Sequence, residues 1–191
     1  MKNTNLPSSL EVEQELKRER YRRRYRTTLQ STFFALVTAS AAAVLVATLF
    51  LPVLQIYGSS MNPTLKEGQI VVSIKAKELE AGDIVAFYYG NRVLIKRYIA
   101  GPGTWVNIDE DGNVYLNDEF LEEPYLTEKA FGISDLEYPY QVPENTYFLM
   151  GDHREDSVDS RHSTVGCIAQ DDIVGKIVLR VWPMDSIGFV D

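Results

Sequence analysis

The chain has 191 residues and a formal net charge of −8, with a single Cys and two His. That length suffices for a membrane anchor plus one globular domain, while the lone Cys167 excludes an intrachain disulfide and a thiolate metal cluster. Charge is unevenly placed: residues 1–26 sum to +4, residues 27–57 carry none and residues 58–191 sum to −12, so the larger part repels polyphosphate and no nucleic-acid partner is expected.

In chain order, residues 1–16 read as a polar, weakly ordered tail. "KRERYRRRYR" (17–26) then holds seven positive charges and one negative. Phe33–Ile56 follows as 24 residues without a charge. A helix of about 20 apolar residues crosses a bilayer core, and Pro52 falls near the far end, where a break is tolerated. A cleaved leader usually has a shorter apolar stretch, of about 7–15 residues. The basic block ahead of the run predicts a cytoplasmic N-terminus and an exported remainder. The expected organisation is a cytoplasmic basic tail (1–28), a single-pass transmembrane signal anchor (29–56) and an extracytoplasmic domain (57–191) in the cell membrane.

Beyond the anchor the pattern is that of β-strands. "QIVVSI", "DIVAFYY", "RVLIKRYIA", "TWVNI", "NVYLN", "TYFLM" and "KIVLRVW" are rich in β-branched and aromatic residues, with Gly, Pro, Asp and Asn between them. "NIDEDGNVYLND" reads as a hairpin turning at Asp111-Gly112 rather than a calcium loop, because Gly112 follows Asp109 too closely for that pattern. An acidic, aromatic stretch near 117–146 reads as a loop-rich insertion.

The familiar hydrolase motifs are missing. There is no Gly-x-Ser-x-Gly elbow, no serine three residues before a lysine, no His-Glu-x-x-His and no phosphate loop. Composition leaves a Ser–His–Asp triad open, since His153 and His162 neighbour Asp152 and Asp159, although two solvated loop histidines are the plainer reading. Lysine is the other available base. Lys96 lies in "VLIKRYI", an apolar strand, where a lysine must either extend its amine to solvent or lose its proton. "YGSSMNPTL" (57–65) stands where the apolar run ends and offers two adjacent serines.

Four of these stretches, in order, resemble the conserved boxes of the bacterial type I (leader) signal peptidases. "SSMNPTL" is similar to the nucleophile box, "AGDIVAFYY" to a second box, "IKRYIAGPGTWV" to the box of the general base and "GDHREDSVDSR" to the last box. The resemblance covers about residues 20–190 and implies an antiparallel β-rich catalytic domain, with a small β insertion at about 106–146, preceded by one transmembrane helix. It implies that Ser60 is the nucleophile, Lys96 the general base and Ser157 the residue that orients the lysine. Asp159 and Arg161 would form a supporting salt bridge. The oxyanion would take the backbone N–H of Ser60; some members add a serine hydroxyl two residues earlier, where this chain has Gly58, as many single-anchor Gram-positive members do, leaving the backbone at Gly58 or a water as the alternatives for the second donor. Met61 would pack near the membrane. No cofactor or metal is implied. The partners implied are signal peptides of secretory preproteins cut after Ala-x-Ala, membrane lipid and a neighbouring export channel.

The sequence departs from the family pattern at His153, where Asn is usual, and at Ala100, Thr104 and the stretch before Asp171. With Ser60 four residues beyond the apolar run, the chain would hold it within roughly 15 Å of the membrane boundary. Two other readings fit parts of the pattern. One is a Ser/Lys self-cleaving protease of related fold; the other is a catalytically silent, membrane-anchored binding or assembly factor.

Overall fold

The computed structural model describes residues 9–76 and 78–190, which divide into a unit that ends at Leu49 and a unit that starts at Phe50. The first is essentially one helix, α1 (Ser9–Phe50). Residues 9–16, expected as tail, are therefore helical; residues 1–8 lie outside the described residues. The uncharged part of α1, 27–50, spans roughly 36 Å at 1.5 Å per residue, enough for a bilayer core of about 30 Å. The apolar stretch reaches a mean hydropathy of 1.8 and is exposed. Within it, Thr38 returns its hydroxyl to the Phe34 carbonyl at 2.8 Å, so the polar group is satisfied inside the helix.

The helix ends six residues before the apolar run does. Pro52 disfavours a helical conformation at Leu51, and Val53–Gln55 forms strand β1 instead. Ile56 belongs to the hydrophobic core of the second unit. The helix thus ends at Phe50, ahead of the anchor boundary expected at residue 56, and ten residues separate its end from Ser60.

The strands that follow are β2 (Ile70–Ile74), β3 (Ile84–Tyr89), β4 (Arg92–Ala100), β5 (Trp105–Ile108), β6 (Val114–Leu116), β7 (Glu119–Phe120), β8 (Tyr140–Gln141), β9 (Thr146–Met150), β10 (Ile168–Ala169), β11 (Ile173–Trp182) and β12 (Gly188–Phe189). The pairings are antiparallel throughout. The main sheet runs β1-β2-β11-β3-β4-β9-β10, with β12 beside β11; a four-stranded sheet runs β7-β6-β5-β8. This is the mainly antiparallel β architecture that the strand pattern and the resemblance imply.

Strand β3 reads as a continuous apolar run because both its faces are covered. Ile84 and Ala86 enter one core cluster with Met61 and Leu65, while Val85 and Phe87 enter another with Leu149 and Ile168. The β3–β4 connection is the two-residue turn Gly90-Asn91, with Gly90 at φ +58, as the first position of a type II′ hairpin requires. This tight turn fixes the register that pairs Val85 with Lys96. The hairpin at Gly112 forms as expected and joins β5 to β6. Met61, next to Ser60, is 2% exposed and packs in the core with Ile56, Leu65 and Ile84.

Candidate active site

Strand β4 carries Lys96 into the interior, where it is 5% exposed. Its Nζ donates to Ser157 Oγ at 2.9 Å. Burial lowers the Lys96 pKa from 10.5 to about 8; Asp159 and Asp152 pull it back upward, while Arg161 pushes it down. The amine does not extend to solvent, so the snorkelling alternative is set aside.

Ser157 lies in the loop after β9. Its backbone N–H donates to the His153 carbonyl at 3.0 Å. Asp159, two residues on, accepts the Gly151 amide at 2.8 Å and a fork from Arg161, Nε at 2.8 Å and Nη2 at 2.9 Å. Burial acts to raise the Asp159 carboxyl, but the hydrogen bonds and charge of Arg161 and the Gly151 amide hold it below its ordinary value. Asp159 and Arg161 are fully buried and paired.

Ser60 sits in the turn between β1 and β2. The Ser59 carbonyl accepts the Asn62 amide at 2.9 Å and the Met61 carbonyl accepts the Leu65 amide at 2.8 Å. The Ser60 carbonyl accepts the His153 amide at 3.1 Å, tying this turn to the Ser157 loop. Gly151 lies between the two: a Cβ there would meet Ser157 Oγ at 2.2 Å and the Ser60 carbonyl at 2.5 Å. Gly58, at φ +82, completes the turn.

Ser60 and Lys96 line one cavity of about 830 Å³, together with Gly58 and Met61. Its walls are β1 and the first half of β4, with Val53, Leu54, Val93 and Ile95 as apolar lining. Among the described residues both walls have an unpaired edge: β1 pairs with β2 alone, and Arg92–Lys96 pair with β3, whereas β9 joins β4 from Arg97 onward.

The histidines stand apart. His153 Nδ1 lies 3.4 Å from Asp156, and His162 Nε2 lies 3.8 Å from Asp135. Neither lines the cavity that Ser60 shares with Lys96, so the structure gives the open Ser–His–Asp reading no support at Ser60. No group of three or more potential metal ligands occurs among the described residues.

Three features of the site were missed in the sequence. Gly151 is one. The others are the buried pairs Arg97–Asp152, with bonds of 2.8 and 2.7 Å, and Arg154–Glu123. The arginines at 97 and 154 stood in the matched boxes, but their partners could be found only in the fold.

A serine hydroxyl and a buried lysine opening on one apolar cavity beside free strand edges are the equipment of a serine endopeptidase. The chain belongs to the signal peptidase family, peptidase S26, which matches residues 29–182. It is 30% identical over 173 residues to signal peptidase I of Streptococcus pneumoniae, covering 70% of this chain and 83% of that protein. It is 36% identical over 140 residues to signal peptidase I U of Bacillus subtilis, covering 67% and 74%. A crystal structure of a signal peptidase I from Enterococcus faecalis aligns with a TM-score of 0.45 at 28% identity, covering 52% of this chain and 97% of that one. With its apolar helix, the protein is a membrane-anchored member of this family of enzymes.

Proposed function

We propose that the protein removes N-terminal signal peptides from exported preproteins after small residues of the Ala-x-Ala type, through a Ser60/Lys96 dyad. The observation that carries this reading is a buried Lys96, held by Ser157 and lining the same cavity as Ser60.

In the first half-reaction Ser60 Oγ attacks the scissile carbonyl carbon and its proton passes to Lys96 Nζ. The oxyanion is met by the Ser60 backbone N–H, with the backbone at Gly58 as the second donor. The intermediate collapses, the C–N bond breaks and the leaving amine takes the proton from Lys96. In the second half-reaction Lys96 takes a proton from water, whose oxygen attacks the acyl-enzyme ester. The Ser60–acyl bond breaks and the proton returns to Oγ. Ser157 orients the Lys96 amine, and the Asp159–Arg161 pair supports the loop that carries Ser157 without entering a bond-breaking step.

The substrate binds extended, adding as a strand along the edges of β1 and β4, with its apolar residues against Val53, Leu54, Val93 and Ile95. The basic segment ahead of the apolar stretch keeps the N-terminus (residues 1–28) in the cytoplasm, so that the unit from Phe50 onward works outside, at the membrane and beside the export channel.

Incubating the full-length protein with an Ala-x-Ala preprotein and weighing the products tests this. The expected result is one cut after the second Ala, abolished by Ser60→Ala and by Lys96→Ala and retained in His153→Ala and His162→Ala. Full activity in purified Lys96→Ala sinks the dyad.

A further inference from the structure

The proposed mechanism makes no use of one fully buried ion pair, Arg154–Glu123. Arg154 lies in the loop that carries Ser157, and Glu123 lies in the segment that follows β7. The guanidinium takes the carboxylate with both terminal nitrogens, Nη1 to Oε2 at 3.1 Å and Nη2 to Oε1, while its Nε donates to the Gly151 carbonyl at 3.0 Å. Gly151 is the residue packed between Ser60 and Ser157. Glu123 thus reaches the catalytic loop through a single rigid fork.

A second contact from the same segment grips the loop at the next residue. Tyr125 donates its hydroxyl to Glu123 Oε1 at 2.8 Å, and the Arg97 guanidinium lies 3.7 Å above the Tyr125 ring. Arg97 in turn holds Asp152 with two bonds. Residues 123–125 therefore contact Arg154, which also holds Gly151, and Arg97, which also holds Asp152, the Gly82 carbonyl and Thr64. Further along the insertion, the Phe131 carbonyl accepts Arg161 Nη1 at 2.8 Å. Gly132 packs so closely that a Cβ would fall 2.1 Å from the Arg154 carbonyl.

Burying two full charges adds little net stability, because desolvation offsets their attraction. What a bidentate fork does supply is direction: it fixes the plane of the guanidinium and hence of the backbone bonded to it. The loop in question must keep Ser157 Oγ 2.9 Å from Lys96 Nζ.

We propose that Glu123 is a positioning residue for the catalytic base, holding the 151–157 loop through Arg154 so that Ser157 stays on Lys96. This rests on the reading of Lys96 as the base. The test uses the full chain with Glu123→Gln, which keeps the size of the side chain and removes its charge. Rates are scaled to the active fraction by titrating the acyl-enzyme burst. The expected result is kcat for a signal-peptide substrate lower by about tenfold or more, with KM within about twofold of wild type. The ascending limb of kcat against pH should move upward by about half a unit or more, because a loosened loop lets water reach the amine and weakens the desolvation that lowers its pKa.

Tyr125→Phe, which loses only the hydroxyl bond to Glu123, should move both quantities in the same direction by less. It decides the matter if Glu123→Gln does not fold. Wild-type kcat and limb in the decisive variant overturn the proposal. So does a lower active fraction whose surviving enzyme keeps the wild-type pH profile, since that marks a purely structural pair. Either result leaves the dyad standing if Lys96→Ala is inactive; an active Lys96→Ala overturns the dyad and this proposal with it.

Discussion

Lys96 meets two opposed demands. Folding removes its amine from water, which disfavours the ammonium form, and the proposed role as base requires the neutral amine that this produces. The folded pKa of about 8 lies below the ordinary 10.5. Between those values the unfolded chain binds more protons than the folded one, so stability rises with pH across that window. Below about pH 8 the burial cost is fully present, on the order of 3 kcal/mol at 1.36 kcal/mol per unit. Lys96→Met should therefore be more stable than wild type at pH 7 by about 1–3 kcal/mol, with the gain shrinking as pH rises through 8 towards 10.5. Denaturant unfolding at pH 7 and pH 10 measures this, and an equal difference at both pH values would refute it. The wild-type rate should in turn climb about tenfold per pH unit below an inflection near 8. Ser60 and Lys96 stand out in the sequence because each sits inside a short contiguous pattern, and the fold brings both to one cavity. Gly151 does not, since a glycine needed for close approach looks like any turn glycine until its spatial neighbours, Ser157 and the Ser60 carbonyl, are known.

At the scale of elements, β1 shows why an apolar run does not fix its own structure. "VLQI" suits a transmembrane helix or a buried-edge strand equally by composition. Only Pro52 marks the change, and only the β2 ladder explains it. The Ile56 amide donates to Gln69 and the Ser73 amide to the Pro52 carbonyl. Residues 52, 54 and 56 therefore face β2, and the backbone groups of Val53 and Gln55 face away from it. Gln55→Pro should remove an outward N–H that the β1–β2 ladder does not use, at an edge position where proline is tolerated. Its expected effect is KM raised about tenfold for an extended substrate, with the melting temperature within a few degrees of wild type. A wild-type KM would show that the substrate does not pair with this edge. The insertion, by contrast, was legible as a region but not as a contact: Glu123 and Arg154 are 31 residues apart in the chain, and nothing in either local pattern links them.

Across the whole molecule, charge divides where the elements do. The +4 of residues 1–26 is separated from the −12 of residues 58–191 by a stretch with no charge at all. The proposed orientation rests on this asymmetry, because membranes retain basic segments on the cytoplasmic side. Seven of the positive charges lie within 17–26, which are helical and continuous with the apolar stretch in α1. They lie within about 15–20 residues of the apolar stretch, the distance over which positive charge governs insertion. Changing Arg22, Arg23, Arg24 and Arg26 together to Gln takes residues 1–26 from +4 to 0 while leaving the second unit untouched. Protease added outside spheroplasts should digest the catalytic unit of the wild-type protein completely. In the Gln variant a fraction of molecules should become protected, and preprotein cleavage should fall by that same fraction. Protection of the wild-type catalytic unit would reverse the assigned orientation. Full digestion of the variant would show that the basic segment does not set it.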